Sequence, residues 1–433
     1  MFIKFKSENE YLLDILYKNP QTDLGLYFKP LKKGIIVGNV VSSKEYEIIF
    51  QDSKYSYLPE SSNQIDFQSY CSPLVILDIS KELFSHLLKE KNEYKNKSIH
   101  WLNISQGEAD VKECTIEVPT FFIDSNWYKN DEFLLSRYFT GVEISHKSGK
   151  IFSLKITAKS VFEALNLLNL IALFVHITNN YGVFTYITDD FAEKYVRILT
   201  NIDEVPYFVF YLFIKRAVKS EKQFLNFKPI FENYLNKYHI KANLTWYSTH
   251  ADRINFITSQ LDINTPIVDI GCGEFIYYKR IMNKNFTASY IAIDKDEKFS
   301  SMAGKMAERF KTGNLHFYTS LDEVIIQEKV NILLTEVIEH NTLNEAEKLI
   351  KQALTFNFNQ IFITTPNPDF NPYYFENLKF RHDDHKFELN SKEFKSFIYK
   401  CLEGSIGLEV EFFGIGDQLN GTQPTQAVII TKN

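Results

Sequence analysis

The sequence predicts an α/β protein: an α+β amino-terminal domain followed by a doubly wound, mostly parallel sheet. Three observations lead to this fold class. From Leu244 onward, short apolar strands alternate with helices. A glycine turn, Asp269-Ile-Gly-Cys-Gly273, joins one of these strands to the next helix. Polar motifs then follow the ends of later strands, and in such folds ligands bind beyond the carboxyl ends of the strands. We therefore expect a ligand site at that edge.

The composition bounds the class of protein. The chain has 433 residues, of which 45% are hydrophobic and 24% are charged, so we expect two domains, or three, with ample core. Lysine and arginine number 48, aspartate and glutamate 54, and the net charge is -6. A net negative charge does not indicate long-range electrostatic attraction of nucleic acids, although it is compatible with a small, local basic groove.

Cysteine usage and hydropathy predict the compartment. The four cysteines are far apart and form no Cys-x-x-Cys pair, which argues against a disulfide framework or a thiolate zinc site. The first residues lack the apolar core of a signal peptide. The most apolar run, Val161 to Ile177, is interrupted by polar residues, so we expect a buried helix rather than a membrane span. The sequence thus predicts a soluble cytoplasmic protein that contacts no membrane.

The amino-terminal half, residues 1–220, mixes strand and helix patterns and is predicted to be one α+β domain. The predicted strands are 34–38, 46–50, 73–78, 115–122 and 151–156, and the predicted helices are 161–174 and 207–218. Residues 221–243 are polar and lysine-rich with aromatic residues, and we assign them as the connection between the halves. Residues 244–433 then form the second domain.

The carboxy-terminal half alternates strands and helices in order. The predicted helices are 249–261, 275–282, 299–310, 343–355 and 391–401. The predicted strands are 266–270, 288–293, 315–319, 329–334, 360–364, 408–414 and 426–431. The polar motifs lie directly after the first, fourth and fifth of these strands.

The glycine turn predicts a cofactor site. Glycines permit a tight turn and let a ligand approach backbone amides. The spacing is neither the Gly-x-Gly-x-x-Gly pattern of dinucleotide folds nor a phosphate-binding loop, because the third glycine and the lysine are missing. Asp294 ends the next strand, where an acidic residue accepts hydrogen bonds from ribose hydroxyls in related folds. The alternative is a glycine turn in some other α/β protein.

The Asp-x-Gly-x-Gly arrangement resembles motif I of class I methyltransferases that use S-adenosylmethionine. By that resemblance, Asp269, Gly271 and Gly273 hold the methionine end of the cofactor, and Asp294 holds its ribose. Ser320 and Leu321, at the end of the third strand, are assigned to the adenine by position.

Two further motifs predict a metal site. Glu336, Glu339 and His340 are spaced i, i+3 and i+4, so on a helix they share one face. Carboxylates with an imidazole bind a divalent cation through mixed oxygen and nitrogen ligands. Alternatively, these residues orient a small-molecule substrate, or they form a solvated first helical turn. The third motif, Arg381-His-Asp-Asp-His385-Lys-Phe-Glu388, adds further imidazoles unless it is only a charged exposed loop.

The three motifs in this order, with Thr365-Pro-Asn-Pro-Asp-Phe-Asn371 between the last two, resemble the small-RNA 3′-terminal ribose 2′-O-methyltransferases, over residues 245–433. The resemblance implies a class I methyltransferase domain that uses S-adenosylmethionine and Mn²⁺, or Co²⁺ or Mg²⁺. It also implies ligand and substrate residues. The implied metal ligands are Glu336, Glu339, His340 and His385.

The resemblance extends to the substrate. Arg381 and Asn367 are placed at the terminal phosphate or ribose, and the alternative for Arg381 is a salt bridge to Asp383 or Asp384. Two departures from the family pattern affect the cofactor turn and the grip on the RNA end. Phe275 stands in place of a glycine, and Leu389 stands in place of a tryptophan.

The implied function is methylation of RNA 3′ ends that carry free 2′- and 3′-hydroxyls, in RNA repair. Bacterial members of this family carry a large amino-terminal domain and work with a polynucleotide kinase–phosphatase–ligase, so residues 1–220 are assigned a partner-binding or ligase-activating role. Two alternatives stay open. One is a small-molecule methyltransferase of the quinone-biosynthesis type. The other is a non-catalytic scaffold that activates a repair ligase.

Overall fold

The computed structural model describes residues 1–10, 12–16, 24–31, 34–52, 71–84, 88, 112–125, 127–129, 132–179, 189–374 and 379–432. The chain divides into two compact units, Met1–Tyr234 and Leu235–Asn433. The stretch assigned from sequence as a connection is largely a helix, Glu221–Lys237, and the division between the units falls inside it.

The first unit contains an antiparallel sheet of seven strands in the order β2-β3-β4-β1-β5-β9-β8. These strands are β1 Phe2–Ser7, β2 Gly25–Pro30, β3 Gly34–Ser42, β4 Glu45–Asp52, β5 Cys114–Phe122, β8 Val142–Ser148 and β9 Ile151–Ala158. A short hairpin pairs β6 Tyr128–Lys129 with β7 Glu132–Phe133. Burial alternates along β9, as a strand with one face on a core requires.

The described helices of the first unit pack their apolar residues into its core. They are Leu12–Leu16, Pro73–Leu83, Val161–Thr178, Asp189–Asn201, Tyr207–Arg216 and Glu221–Lys237, with a 3₁₀-helix at Leu134–Arg137. Val161–Thr178 is long and apolar enough to cross a membrane by length and composition, yet 94% of it is buried inside the protein. This matches the core helix that its interrupting polar residues predict.

The strand predicted at residues 73–78 is wrong, because this segment begins the helix Pro73–Leu83. The Ser72 side chain caps the helix by accepting a hydrogen bond from the Leu74 amide, and Pro73 occupies the first helical turn, where proline is tolerated. A short continuous apolar run is buried in either conformation, so its hydropathy does not distinguish a helix from a strand.

The second unit is built on a sheet of seven strands, β11 Ile267–Ile270, β12 Tyr290–Ile293, β13 Leu315–Tyr318, β14 Val330–Thr335, β15 Phe358–Pro366, β16 Leu408–Ile415 and β18 Thr425–Lys432. Their order across the sheet is β13-β12-β11-β14-β15-β18-β16. The first five strands in this order pair in parallel, and β18 runs antiparallel to both of its neighbours, β15 and β16. A separate short pair joins β10 Ala242–Asn243 to β17 Gln418–Leu419.

Helices cover both faces of this sheet, as the alternating sequence pattern predicts. They are Thr249–Gln260, Ile276–Met282, Lys298–Phe310, Leu343–Ala353 and Ser391–Cys401, with 3₁₀-helices Leu321–Glu323, Ile338–His340 and Pro368–Tyr373. Alternate residues of β14 serve the two faces: Ile332 and Leu334 join one hydrophobic core, whereas Leu333 joins the other. This two-sided burial explains why the central strands are almost uniformly apolar.

The strand order fixes where a ligand binds. β11 lies between β12 on one side and β14 on the other, so the chain reverses direction across the sheet at β11. Such a switch point opens a crevice beyond the carboxyl ends of the strands. The glycine turn follows β11, Asp294 follows β12, and Glu336 follows β14. The fold therefore brings the sequence motifs to one edge.

Candidate active site

The glycine turn depends on backbone conformations that favour glycine. Gly271 has φ 74° and Gly273 has φ 46°. A Cβ atom at Gly271 would lie 2.5 Å from Cγ2 of Val337, so no side chain fits there without displacing that residue. Phe275, which replaces a family glycine, also has a positive φ of 58° and is fully buried in the core. The position thus has a left-handed backbone, which glycine adopts more readily than phenylalanine.

Two aspartates flank this turn. Asp269 is buried near the end of β11, where one carboxylate oxygen accepts a hydrogen bond from the Tyr290 hydroxyl and the other has no partner within the part of the chain that the structure describes. Burial raises the pKa of Asp269 to about 7, opposed by the Tyr290 hydrogen bond and aided by the charge of Asp294. Asp294 accepts a hydrogen bond of 3.1 Å from the Gly273 amide. In this structure Asp294 therefore closes the turn, and its contact with a ribose stays a prediction.

The two residues assigned to the adenine lie after β13 at the same sheet edge. Ser320 accepts a hydrogen bond from the Asp322 amide and so caps the short 3₁₀-helix Leu321–Glu323. Leu321 is 6% exposed and belongs to the hydrophobic core. Their contact with a cofactor remains a prediction.

Three of the four predicted metal ligands converge. Glu339, His340 and His385 each offer a ligand atom, and these atoms all lie within 4.8 Å of one another. The rings of His340 and His385 have centroids 4.9 Å apart. A backbone hydrogen bond of 2.7 Å from Lys386 to the Glu339 carbonyl joins the two segments. Although a helix and a strand separate His385 from Glu339 and His340 in sequence, the three residues form a single cluster, called here the Glu–His–His cluster.

The fourth predicted ligand, Glu336, lies outside this cluster. One of its oxygens is 2.9 Å from Nη1 of Arg253, and the other accepts a hydrogen bond of 3.1 Å from the Thr364 hydroxyl. The predicted α-helical face does not form, because Glu336 has φ 56° and only Ile338–His340 is helical, as a 3₁₀-turn. Arg253 comes from the helix Thr249–Gln260, and no motif in the sequence pointed to it.

Glu339 has the environment of a cation ligand. Its side chain is fully buried, one oxygen accepts a hydrogen bond of 3.1 Å from Thr365, and the other finds no hydrogen-bond partner among the residues described above. Burial, reinforced by the charge of Glu336, raises the pKa of Glu339 well above its usual value. A buried carboxylate with an unsatisfied oxygen beside two imidazoles is costly alone and is stabilised by a divalent cation. The residues present therefore fit a metal ion.

Carboxylates orient both imidazoles of the cluster. Nδ1 of His385 lies 2.7 Å from Glu388, and the two side chains are 3% and 0% exposed. Nδ1 of His340 lies 3.1 Å from Asp384. Because Nδ1 is occupied in each ring, Nε2 is the nitrogen left for a metal, an arrangement common to metal-binding histidines. Burial lowers the pKa of His340, which favours the neutral form that binds metals.

The orienting roles of Glu388 and Asp384 were missed in the sequence, although both lie in the third motif. The His385-x-x-Glu388 spacing is the signal from which such a pair could have been inferred.

The two predicted substrate residues have structural partners. Nη2 of Arg381 donates hydrogen bonds to the carbonyls of Pro424 and Asn367, at 2.8 and 3.3 Å. Asn367 is 2% exposed, and its side chain caps the 3₁₀-helix Pro368–Tyr373. The alternative partner of Arg381, Asp384, instead lies beside His340. Binding of RNA by Arg381 or Asn367 stays a prediction.

The sheet order, with a glycine turn at its switch point and an acid after the next strand, defines the class I methyltransferase fold. Comparison with known proteins then identifies the family. The family model of the Hen1 N-terminal domain matches residues 2–236, more than half of the chain. The chain belongs to the Hen1 family.

Solved structures and curated relatives agree with this assignment. A chain in the "Structure of the Pnkp1/Rnl/Hen1 RNA repair complex" is 49% identical, with a TM-score of 0.90 and full coverage of both chains. A "Small RNA 2'-O-methyltransferase" of Caenorhabditis elegans is 33% identical over 33% of this chain and 36% of that protein. One from Xenopus tropicalis is 26% identical over 42% of this chain and 55% of that protein. The match therefore spans about a third to a half of these curated relatives.

Proposed function

We propose that this protein transfers a methyl group from S-adenosylmethionine to the 2′-hydroxyl of the 3′-terminal ribose of RNA, with a divalent metal, in RNA repair. One observation carries the proposal: His385 of the third motif meets Glu339 and His340 of the second motif, at the edge of the sheet where the glycine turn also lies. The curated relatives are small RNA 2'-O-methyltransferases, which supports the same reaction for this chain.

The third motif also favours RNA over a small-molecule substrate. A methyltransferase of the quinone-biosynthesis type shares the glycine turn and the Glu-x-x-Glu-His segment but is expected to lack the third motif. Here that motif supplies His385 together with Glu388, which holds the imidazole in place. A buried imidazole with its own carboxylate partner is a costly feature for a loop that serves no ligand.

The cluster assigns roles to the chain's own residues. Glu339, His340 and His385 would hold the ion, with Glu336 as a fourth ligand once it leaves Arg253. A bound Mn²⁺, Co²⁺ or Mg²⁺ would supply Lewis-acid chemistry that lowers the pKa of the 2′-hydroxyl. Glu388 and Asp384 keep the imidazole nitrogens aimed at the ion.

On the cofactor side, the turn at Gly271 and Gly273 would admit the methionine end, and Asp269 would lie beside its ammonium group. Asp294 would hold the cofactor ribose, with Ser320 and Leu321 near the adenine. Methyl transfer is an in-line displacement, so most of the catalytic effect comes from positioning the hydroxyl against the sulfonium methyl.

We further propose that the first unit binds a polynucleotide kinase–phosphatase–ligase, as the name of the similar RNA repair complex suggests. Leu26, Phe28, Ile35 and Ile49 are 66%, 68%, 45% and 49% exposed. Strand register puts them on one face of the sheet, because Val37 of β3 pairs with both Phe28 and Ile49. An exposed apolar face of this kind marks a protein interaction surface.

The decisive test is radiolabelled methylation of three matched RNA oligomers ending in 3′-hydroxyl, 3′-phosphate or 2′-deoxyribose. Methylation is expected only on the first oligomer, and it should stop when EDTA removes the metal. Equal methylation of all three, or activity that survives EDTA, contradicts the proposal. Failure to bind S-adenosylmethionine would instead favour the scaffold alternative.

Two histidines of the third motif provide a matched pair of variants. His385→Ala should abolish metal-dependent methylation, because it removes a member of the Glu–His–His cluster. His382→Ala should retain most activity, since His382 is exposed and lies outside that cluster. Equal losses in both variants would argue that the loop acts through its charge rather than through one ligand.

A further inference from the structure

The side chain of Arg253 is buried next to the candidate site, and the proposed reaction does not use it. The side chain is 13% exposed. Nη1 lies 2.9 Å from Glu336, and Nη2 lies 2.9 Å from Nδ1 of His250. The remaining nitrogen, Nε, is buried and has no hydrogen-bond partner among the described residues. A buried guanidinium with an unsatisfied donor has capacity for a further anionic ligand.

The position of Arg253 links the two predicted subsites. It lies beside Tyr277, in the helix that follows the glycine turn, and the buried hydroxyl of Tyr277 has no hydrogen-bond partner among the described residues. It also pairs with Glu336, the predicted ligand that follows β14. β14 is hydrogen-bonded to β11, the strand that leads into the turn. The Arg253 guanidinium therefore lies next to both the predicted cofactor subsite and the predicted metal subsite of the crevice.

Glu336 cannot serve Arg253 and a metal ion equally. In this structure its carboxylate is held by Arg253 and Thr364, away from the Glu–His–His cluster. Moving it to the ion would leave the Arg253 guanidinium buried without a carboxylate, which is strongly unfavourable. The cost disappears if another anion replaces Glu336 at Arg253.

The α-carboxylate of S-adenosylmethionine has the required chemistry. The glycine turn is assigned to the methionine end of the cofactor, so that carboxylate arrives on the side of the crevice where Tyr277 and Arg253 lie. A carboxylate can use both an unsatisfied Nε–H and a freed Nη–H, since arginine presents these donors in a fixed fork.

We propose that Arg253 is a positioning residue that exchanges carboxylates: it pairs with Glu336 in the ligand-free protein and with the α-carboxylate of S-adenosylmethionine in the complex. The exchange releases Glu336 to complete the metal site. Cofactor and metal then bind with positive coupling, and the coupling is reciprocal, so each tightens the other by the same factor. This inference rests on the proposed use of S-adenosylmethionine.

The test measures Mn²⁺ affinity of the full chain by titration calorimetry or by electron paramagnetic resonance of free Mn²⁺. Three states are compared: no nucleoside, saturating S-adenosylhomocysteine, and saturating 5′-methylthioadenosine, which lacks the amino-acid carboxylate. We expect S-adenosylhomocysteine to tighten Mn²⁺ binding about tenfold, within the usual range of coupling between sites. 5′-Methylthioadenosine should leave Mn²⁺ affinity near that of the protein alone.

Variants of Arg253 provide the second arm. Arg253→Gln should abolish the coupling and weaken S-adenosylhomocysteine without weakening 5′-methylthioadenosine, whereas Arg253→Lys should restore part of both effects. Arg309→Gln, an exposed arginine on the helix Lys298–Phe310, is the matched control and should behave like the wild type. A purely structural role for Arg253 would weaken both nucleosides together.

The outcomes separate this inference from the proposed function. If S-adenosylhomocysteine and Mn²⁺ both bind but independently, the exchange is wrong while the methyltransferase assignment stands. If S-adenosylhomocysteine does not bind at all, both are overturned. Equal coupling by 5′-methylthioadenosine in the wild type also refutes the exchange, and that comparison needs no variant to fold.

Discussion

The Glu388 carboxylate offers the sharpest test of the metal site, because it is expected to act on the ion only through His385. Its side chain is fully buried, and it accepts hydrogen bonds from three donors: Nδ1 of His385, the Arg381 amide and Nδ2 of Asn371. Glu388→Gln keeps the size and one oxygen of this residue but replaces the other oxygen with a donor. At least one of the three donors then loses its acceptor.

Two effects of different size follow. Leaving one buried donor unpaired costs about 1–3 kcal/mol in the free energy of unfolding. Loss of the partner that orients a metal-binding imidazole typically weakens metal affinity by about 10–100-fold. Methylation by Glu388→Gln should therefore fail at low Mn²⁺ and recover when Mn²⁺ is raised in the same proportion.

The assay combines Mn²⁺ titration with denaturant unfolding of the metal-free protein. Glu409→Gln, an exposed glutamate on β16, is the control and should change neither quantity. The reasoning about the cluster is refuted if folded Glu388→Gln binds Mn²⁺ with wild-type affinity. A variant that loses stability but keeps its Mn²⁺ affinity would show that Glu388 only stabilises the loop.

Three further outcomes follow from the site. Gly271→Ala adds a Cβ 2.5 Å from Cγ2 of Val337, at a backbone φ of 74°. The free energy of unfolding should therefore fall by about 2–5 kcal/mol, and Val337→Ala should restore part of it. If the effects of the two substitutions simply add in the double variant, the clash is not the cause. Burial raises the pKa of Asp269 to about 7, above the unfolded value, so the contribution of this carboxyl to stability is largest below about pH 4. It should fall by roughly 4 kcal/mol at most as pH rises through 7, and Asp269→Asn should remove this part of the pH dependence in cofactor-free unfolding curves. Burial also raises the pKa of Glu339, and an ion needs its ionised form, so at pH values below that pKa the Mn²⁺ affinity should increase by about tenfold per pH unit. A profile that stays flat from about pH 4.5 upward would exclude Glu339 as a ligand.

Local sequence signals predicted the second unit well. Its strands and helices appear in the predicted order, because each carries its own apolar period and its own end signals. Thr342 with Glu345, for example, forms a capping box at the start of Leu343–Ala353. The first unit shows the limit of such signals, since the apolar run at Pro73 is a helix although its composition suits a strand.

Patterns within a few residues are enough to predict the class of the second unit, the order of its motifs and the set of chemical groups at the predicted site. The contacts of His385 with Glu339 and His340, of Glu388 with His385, and of Arg253 with Glu336 become known only from the folded chain. The loop containing the third motif, the 3₁₀-turn after β14 and the helix Thr249–Gln260 are far apart in sequence and meet because they pack around a shared sheet. No local periodicity encodes which side chains lie opposite one another there.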